Sequence, residues 1–145
     1  MSKSKELVIA LDGSKPAFEA LDAARDLARA MGRELSALYV FPHHRGFSAT
    51  PSGLDEQTSK ENLEKARDSE ARKIFEAAEQ RLGQPFANKH VLSGDPAEEI
   101  IAFMEDNLGT HLVMGRRGLS KIKSLLMGSV STKVAAHAPG LVTVA

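Results

Sequence analysis

The fold of this chain is decided by one stretch, residues 113–131, which reads VMGRRGLSKIKSLLMGSVS. It opens on the end of an apolar run, passes through two glycines, and reaches Gly128-Ser129 at the start of a predicted helix. A strand that leads through a glycine loop into a helix N-terminus is typical of phosphate sites, because glycines let N–H groups approach and the helix end supplies unpaired donors. A surface loop closed by two turns has the same spacing, so the rest of the chain must decide between them.

Apolar runs and amphipathic segments alternate along the whole chain of 145 residues. The first run, residues 7–11, is continuously apolar, as expected for a strand that is covered on both faces. The predicted strands are Glu6–Asp12, Glu34–Phe41, Pro85–Ser93, Thr110–Gly115 and Leu141–Ala145. This alternation predicts one α/β domain over residues 1–145: an open five-stranded parallel sheet of order 3-2-1-4-5 with helices on both faces.

The predicted helices have recognisable ends. The first is capped by Ser14 and stops at Gly32, with Met31 as the last member of its apolar stripe. The second covers Ser59–Leu82, and the third starts with Asp95 as its N-cap and runs to Gly109, with Leu108 facing inward. The last covers Ser129–Ala138. Residues 43–58 have no periodicity and are predicted to form a mobile flap, and the polar third strand is predicted to lie at an edge.

The composition excludes several classes of protein. Cysteine is absent, which removes disulfides and thiol catalysis, and formal net charge is zero, so global charge does not favour nucleic acid. No apolar stretch reaches the roughly 18–20 residues of a membrane span, and no signal peptide pattern opens the chain. We therefore expect a cytoplasmic protein that neither binds nucleic acid nor inserts into a membrane. Charge is uneven, however: the last 39 residues carry +5 and the first 106 carry −5, which suits an anionic ligand near the glycine loop.

The predicted strand order indicates where in the sheet a ligand site should lie. In an open parallel sheet, ligands bind beyond the carboxyl ends of the strands, where the strand order reverses. That point lies between the first and fourth strands, so Asp12 and Gly115 should face each other across one crevice. Asp12 could accept hydrogen bonds from a ribose or a base, help to hold a metal ion on phosphate, or only cap the first helix. Val40 would offer a flat base an apolar wall and backbone groups.

Other catalytic and binding signatures are missing from the sequence. There is no P-loop, no G-x-G-x-x-G after the first strand and no G-x-S-x-G, which argues against P-loop NTPases, dinucleotide-binding domains and α/β-hydrolases. The five histidines show no metal-ligand spacing. Asp12 stands without the neighbouring acids of a receiver domain. We interpret Ser120-x-x-Lys123 as a chance match to a nucleophile motif.

Gly115-x2-Gly118-x9-Gly128-Ser129, with Asp12 at the end of the first strand, resembles the ATP-binding branch of the universal stress protein family from Leu7 to Val144. The resemblance implies a Rossmann-like fold, similar to the adenine nucleotide alpha hydrolases, and ATP as ligand. If the ATP carries Mg²⁺, Asp12 is the residue that could help to hold this ion. The resemblance implies nucleoside contacts from Asp12 and Val40, and Ala10 stands at a base-contact position that is often Pro or Val. The residues implied to shape the pocket are Met114, Gly115, Arg117 and Gly118. Those implied to hold the phosphates are Gly128, Ser129, Val130 and Ser131.

The resemblance also implies a homodimer joined through the last strand. The residues themselves are compatible with this, because Leu141–Ala145 is a short apolar edge strand and such an edge is open to pairing with a second copy. Pro139-Gly140-Leu141 stands where the family usually has a Cys-Pro type sequence before this strand.

Three functions remain open from the sequence. The first is a regulatory module that binds ATP and changes what its dimer presents to an unidentified partner protein. The second is a slow ATPase or phosphotransferase, for which no convincing general base is present. The third is a module with an empty pocket or with another adenine nucleotide such as cyclic AMP.

Overall fold

The computed structural model describes residues 5–42, 56–116 and 128–145 of the chain. These parts contain five strands and four helices, which alternate along the sequence. Their bounds are β1 (Glu6–Leu11), α1 (Lys15–Met31), β2 (Glu34–Pro42), α2 (Glu56–Leu82), β3 (Lys89–Gly94), α3 (Pro96–Asp106), β4 (His111–Met114), α4 (Ser129–His137) and β5 (Val142–Val144). The predicted flap at residues 43–58 falls outside the described residues except for its last three, which begin α2.

The sheet confirms the predicted architecture. All neighbouring strands are parallel and the order is β3-β2-β1-β4-β5, so β1 lies at the centre and β3 at an edge. Leu7, Val8 and Ile9 of β1 are fully buried, as their unbroken apolar run predicts. Helices α1 and α2 pack with alternate strand residues on one face, and α3 and α4 pack with the others on the opposite face.

Helix starts follow the predicted caps. Ser14 Oγ accepts a hydrogen bond from the Ala17 N–H at 3.3 Å, and Asp95 Oδ2 accepts one from the Glu98 N–H at 3.0 Å. Each bond satisfies a donor that has no partner within its own helix. Gly32 ends α1 with a φ of 64°, a left-handed conformation that glycine adopts without steric cost.

The predicted start of the third strand was wrong, because β3 begins at Lys89 and not at Pro85. The ring of Phe86 is buried against Phe75, with the ring centres 6.3 Å apart. Its N–H donates to Glu79 Oε2 at 2.8 Å rather than to a strand. Packing of this aromatic ring therefore holds residues 85–88 in an irregular lead to the strand. The other element ends lie within three residues of the predicted ones.

Two residues predicted to face inward are exposed. Met31 lies on the last turn of α1, beyond the final buried residue of its stripe, and is 38% exposed. Leu108 is 59% exposed, because α3 ends at Asp106 and not at Gly109. Asn107 stops the helix early: its side-chain amide donates to the Phe103 carbonyl at 2.8 Å. Leu108 therefore lies past the helix and off its apolar face.

No helix in the three described ranges is long and apolar enough to cross a membrane.

Stability should fall at acidic pH because of a buried histidine. His111 Nε2 lies 2.7 Å from Thr143 Oγ1, while its Nδ1 is buried without a partner among the described residues. Burial, and then the nearby Arg33 charge, lower the pKa of His111 below its usual 6.5. Below pH 6.5 the unfolded chain therefore takes up this proton before the folded chain does. The free energy of unfolding should fall as pH drops towards the folded pKa, by at most about 1.4 kcal/mol per pH unit.

Urea unfolding between pH 5 and 8 measures this dependence. A His111→Gln variant should lose part of the slope, and His137→Gln, at an exposed position, should keep it. An unchanged slope in His111→Gln would contradict the assignment.

Candidate functional site

A cavity of about 580 Å³ opens at the carboxyl edge of the sheet, where the strand order reverses between β1 and β4. Nine of the eleven residues predicted for the site line it. They are Ala10, Asp12, Val40, Met114, Gly115, Gly128, Ser129, Val130 and Ser131. The other two predicted site residues, Arg117 and Gly118, lie outside the described residues. The structure thus brings together two regions about 100 residues apart, although their contact with a nucleotide stays a prediction.

The cavity passes over the sheet edge from one face to the other. On the α3–α4 side its wall contains Val40 and Met114. On the α1–α2 side its wall contains Leu11 and Tyr39. The cavity therefore offers different chemistry on the two sides of the sheet.

Gly115 lets α1 approach the end of β4. A Cβ at this position would lie 2.9 Å from both the carbonyl carbon and the oxygen of Pro16, and 3.1 Å from the Ala17 nitrogen. These are backbone atoms at the start of α1, so they cannot rotate away. The first glycine of the motif thus has a packing role beside its predicted role in the pocket.

The segment 114–116 joins β5 and α4 to the sheet. Towards β5, the Ala145 N–H donates to the Met114 carbonyl and the Arg116 N–H donates to the Ala145 carbonyl, both at 2.9 Å. Towards α4, the Gly128 N–H donates to the Arg116 carbonyl at 2.8 Å. The Ser131 hydroxyl donates to the Gly115 carbonyl at 2.9 Å. The first turn of α4 is therefore held at a set position against the end of β4.

The first turn of α4 presents backbone donors to the cavity. Its first helical bond runs from the Thr132 N–H to the Gly128 carbonyl at 3.0 Å. The three preceding N–H groups, on residues 129–131, have no acceptor within the helix and none among the described residues. Two of the predicted phosphate donors are already engaged, namely the Gly128 N–H and the Ser131 hydroxyl. The three N–H groups and the Ser129 hydroxyl thus have no partner within residues 5–42, 56–116 and 128–145, and they lie at the positive end of the helix dipole.

The structure shows one of the roles predicted for Asp12, its support of the turn into α1. Its Oδ1 accepts the Ser14 N–H at 2.9 Å, which supports the turn into α1. Its second oxygen has no partner within the described residues, and Asp12 lines the cavity. One oxygen is therefore structural and the other is open to a ligand hydroxyl, a base N–H or a nucleotide-bound metal ion.

Sequence reasoning missed the wall that α2 and Tyr39 contribute. Ala66 and Glu70, one helical turn apart on α2, line the cavity beside Tyr39. Burial, then the charge of Glu70 and then that of Asp12, raise the pKa of Tyr39 above its usual 10.0, so the phenol stays protonated. Tyr39 directly precedes Val40, which the sequence did predict for the site, so this neighbouring position was a signal that could have identified Tyr39. No pattern in the sequence of α2 marks Glu70 among its many exposed charges.

An open parallel sheet with a cavity at its reversal point is the architecture of an α/β ligand-binding domain. Residues 3–145 match the model of the universal stress protein family, and the chain belongs to that family. It is 34% identical over 135 residues to a universal stress protein of Thermus aquaticus, an alignment that covers 93% of each chain.

Solved structures share the fold. Universal stress protein UspA from Lactobacillus plantarum superposes with a TM-score of 0.78 at 22% identity and 99% coverage of both chains. A universal stress protein in complex with cAMP has a TM-score of 0.63 at 22% identity, with 99% of this chain and 98% of the other covered. The protein from Archaeoglobus fulgidus in complex with dAMP has a TM-score of 0.57 at 20% identity, with the same coverage.

The two serines of α4 should respond differently to alanine. Ser131→Ala removes the hydroxyl that donates to the buried Gly115 carbonyl. This loss should lower the free energy of unfolding by about 1–2 kcal/mol. Ser129→Ala, at an exposed position, should change it by less than about 0.5 kcal/mol. Urea denaturation of both variants checks this, and equal effects would contradict the assigned role of Ser131.

Gly115→Ala should weaken the fold itself. The added Cβ would press on the Pro16 and Ala17 backbone, and such overpacking costs about 1–3 kcal/mol. The same denaturation experiment measures it. A variant as stable as the parent would mean that α1 can move away from β4 at little cost.

Proposed function

We propose that this protein binds ATP in the cavity at the sheet edge and acts as a nucleotide-dependent regulatory protein of the stress response. The observation that carries the proposal is the first turn of α4, which lines a cavity of about 580 Å³ and has three backbone N–H groups without an acceptor among the described residues. A helix N-terminus with unpaired donors favours phosphate through both hydrogen bonding and its dipole.

Other residues of the cavity wall suit a nucleoside. Ala10, Val40 and Ile100 provide apolar surface for a flat base. The free oxygen of Asp12, at the end of β1, can accept a hydrogen bond from a ribose hydroxyl or hold a Mg²⁺ ion carried by the phosphates. Family members of the same fold in complex with cAMP and with dAMP support an adenine nucleotide. The choice of ATP rests on the glycine motif, whose Gly128 and Ser129 border the cavity.

The lining of the cavity favours a protein that binds ATP and hydrolyses little or none of it. The carboxylates of the cavity, Asp12 and Glu70, both act electrostatically on the Tyr39 phenol, whereas the phosphate donors belong to the first turn of α4. Within the described residues no general base stands beside the phosphate donors. A slow ATPase or phosphotransferase is the alternative, and phosphate release from ATP separates the two.

The regulatory part of the proposal involves a homodimer. Strand β5 is the last of the sheet, and Leu141 just before it is 60% exposed. An apolar edge of this kind can pair with a second copy of the chain, through residues 141–145. The dimer would present a nucleotide-dependent surface to a partner protein in the cytoplasm.

One substitution tests the phosphate donors without disturbing the helix. Ser129 is the first residue of α4, where proline is tolerated, and Gly128 before it has φ −71° and ψ 167°, a conformation that suits a residue preceding proline. Ser129→Pro removes one N–H, while the control Ser129→Ala keeps it. Calorimetric titration should give about tenfold weaker ATP binding for Ser129→Pro than for Ser129→Ala, the value of a charge-assisted hydrogen bond.

Release of small molecules from the denatured protein, identified by mass spectrometry, gives an independent measure of the natural ligand. A folded parent protein that neither releases a nucleotide nor gains thermal stability with ATP would overturn the proposal. Equal ATP affinity in the proline and alanine variants would show that the Ser129 N–H at the start of α4 does not bind ATP.

A further inference from the structure

Most of the Tyr39 side chain is buried, and its hydroxyl lies at the cavity without a partner among the described residues. Tyr39 is 5% exposed, lines the cavity, and makes no hydrogen bond to any described residue. The hydroxyl is not one of the fully buried polar atoms without a partner among the described residues, so it opens on the cavity, where a ligand can replace water as its hydrogen-bond partner. A ligand in the cavity could supply the missing partner.

Two carboxylates share this corner of the cavity with the phenol. Glu70 reaches the cavity from α2, and Asp12 follows β1, where Leu11 is paired in register with Tyr39. Both carboxylates act on the Tyr39 hydroxyl electrostatically, and Glu70 acts more strongly. The two carboxylates make this corner negative, which disfavours phosphate at this position.

We propose that Tyr39 and Glu70 form a subsite for the sugar hydroxyls of the nucleotide, and so make the protein selective for ligands with an intact ribose. The proposal rests on the nucleotide-binding function proposed above and adds to it two residues outside the glycine motif.

Sugar hydroxyls match this corner better than the other parts of a nucleotide do. A hydroxyl can donate to the Glu70 carboxylate and also accept from the Tyr39 phenol, whereas a phosphate can only accept. Vicinal hydroxyls can donate to Glu70 and to the free oxygen of Asp12 together. Binding of this kind orients the ligand, with its phosphates at the first turn of α4 and its sugar over the ends of β1 and β2.

The test compares ATP with 2′,3′-dideoxy-ATP, which keeps the base and the phosphates but lacks both hydroxyls. Calorimetric titration of the parent protein should show ATP binding about tenfold more tightly than the dideoxy analogue. Tyr39→Phe removes only the phenol oxygen, and Glu70→Gln keeps the shape of the side chain. Each should weaken ATP binding about five- to tenfold and leave the binding of the analogue within about twofold.

Glu76→Gln is the matched control, because Glu76 is an exposed residue of the same helix that does not line this cavity. It should leave the binding of both ligands unchanged. Equal weakening of ATP and the dideoxy analogue in Tyr39→Phe, or no change in either, would overturn the subsite while leaving nucleotide binding intact. Failure of the parent protein to bind ATP would overturn the proposed function and the subsite together.

Tyrosine fluorescence gives a second readout in the parent protein. The chain has one tyrosine and no tryptophan, so its intrinsic emission comes from Tyr39. ATP should change this emission after correction for absorbance, and inorganic triphosphate, which engages only the phosphate donors, should not. An equal response to both would place the ligand away from the phenol and overturn the subsite.

Discussion

The structure depends on the backbone hydrogen bonds of three residues, Met114 to Arg116, at the end of β4. On one side they pair with Ala145 and so attach β5 to the sheet. On the other side the Arg116 carbonyl receives the Gly128 N–H and the Gly115 carbonyl receives the Ser131 hydroxyl. The edge strand and the first turn of α4 are therefore supported by the same short segment. Because backbone groups in a buried position must be paired, this arrangement leaves little freedom in where the cavity donors point.

The central strand β1 explains why a cavity exists at this place. Its residues are buried on both faces, and its neighbours are β2 on one side and β4 on the other. Chain connections leave these two neighbours in opposite directions, with α1 and α2 on one face and α3 and α4 on the other. The connections therefore separate above β1, and Asp12 lies at the opening. Tyr39 and Glu70 line this cavity together with the first turn of α4.

Much of the fold and of the candidate site could be predicted, because the controlling signals were local. The apolar run of β1, the caps Ser14 and Asp95 and the alternation of strand and helix were sufficient for the sheet order. The start of β3 and the position of Leu108 could not be predicted, because a distant contact or a competing bond decided them. Phe86 packs on Phe75 of α2, and the Asn107 amide ends α3 early.

The sequence by itself determined the class of fold, the family and the two segments that meet at the sheet edge, because periodicity, caps and glycine spacing act over a few neighbouring residues. Only the tertiary structure decided which donors are free. Ser131 looks like a ligand contact in the sequence, but packing of α4 against β4 commits its hydroxyl to Gly115. Tyr39 and Glu70 are an ordinary strand residue and an ordinary helix charge until α2 lies across β2. Such roles depend on contacts between distant segments, which no local pattern encodes.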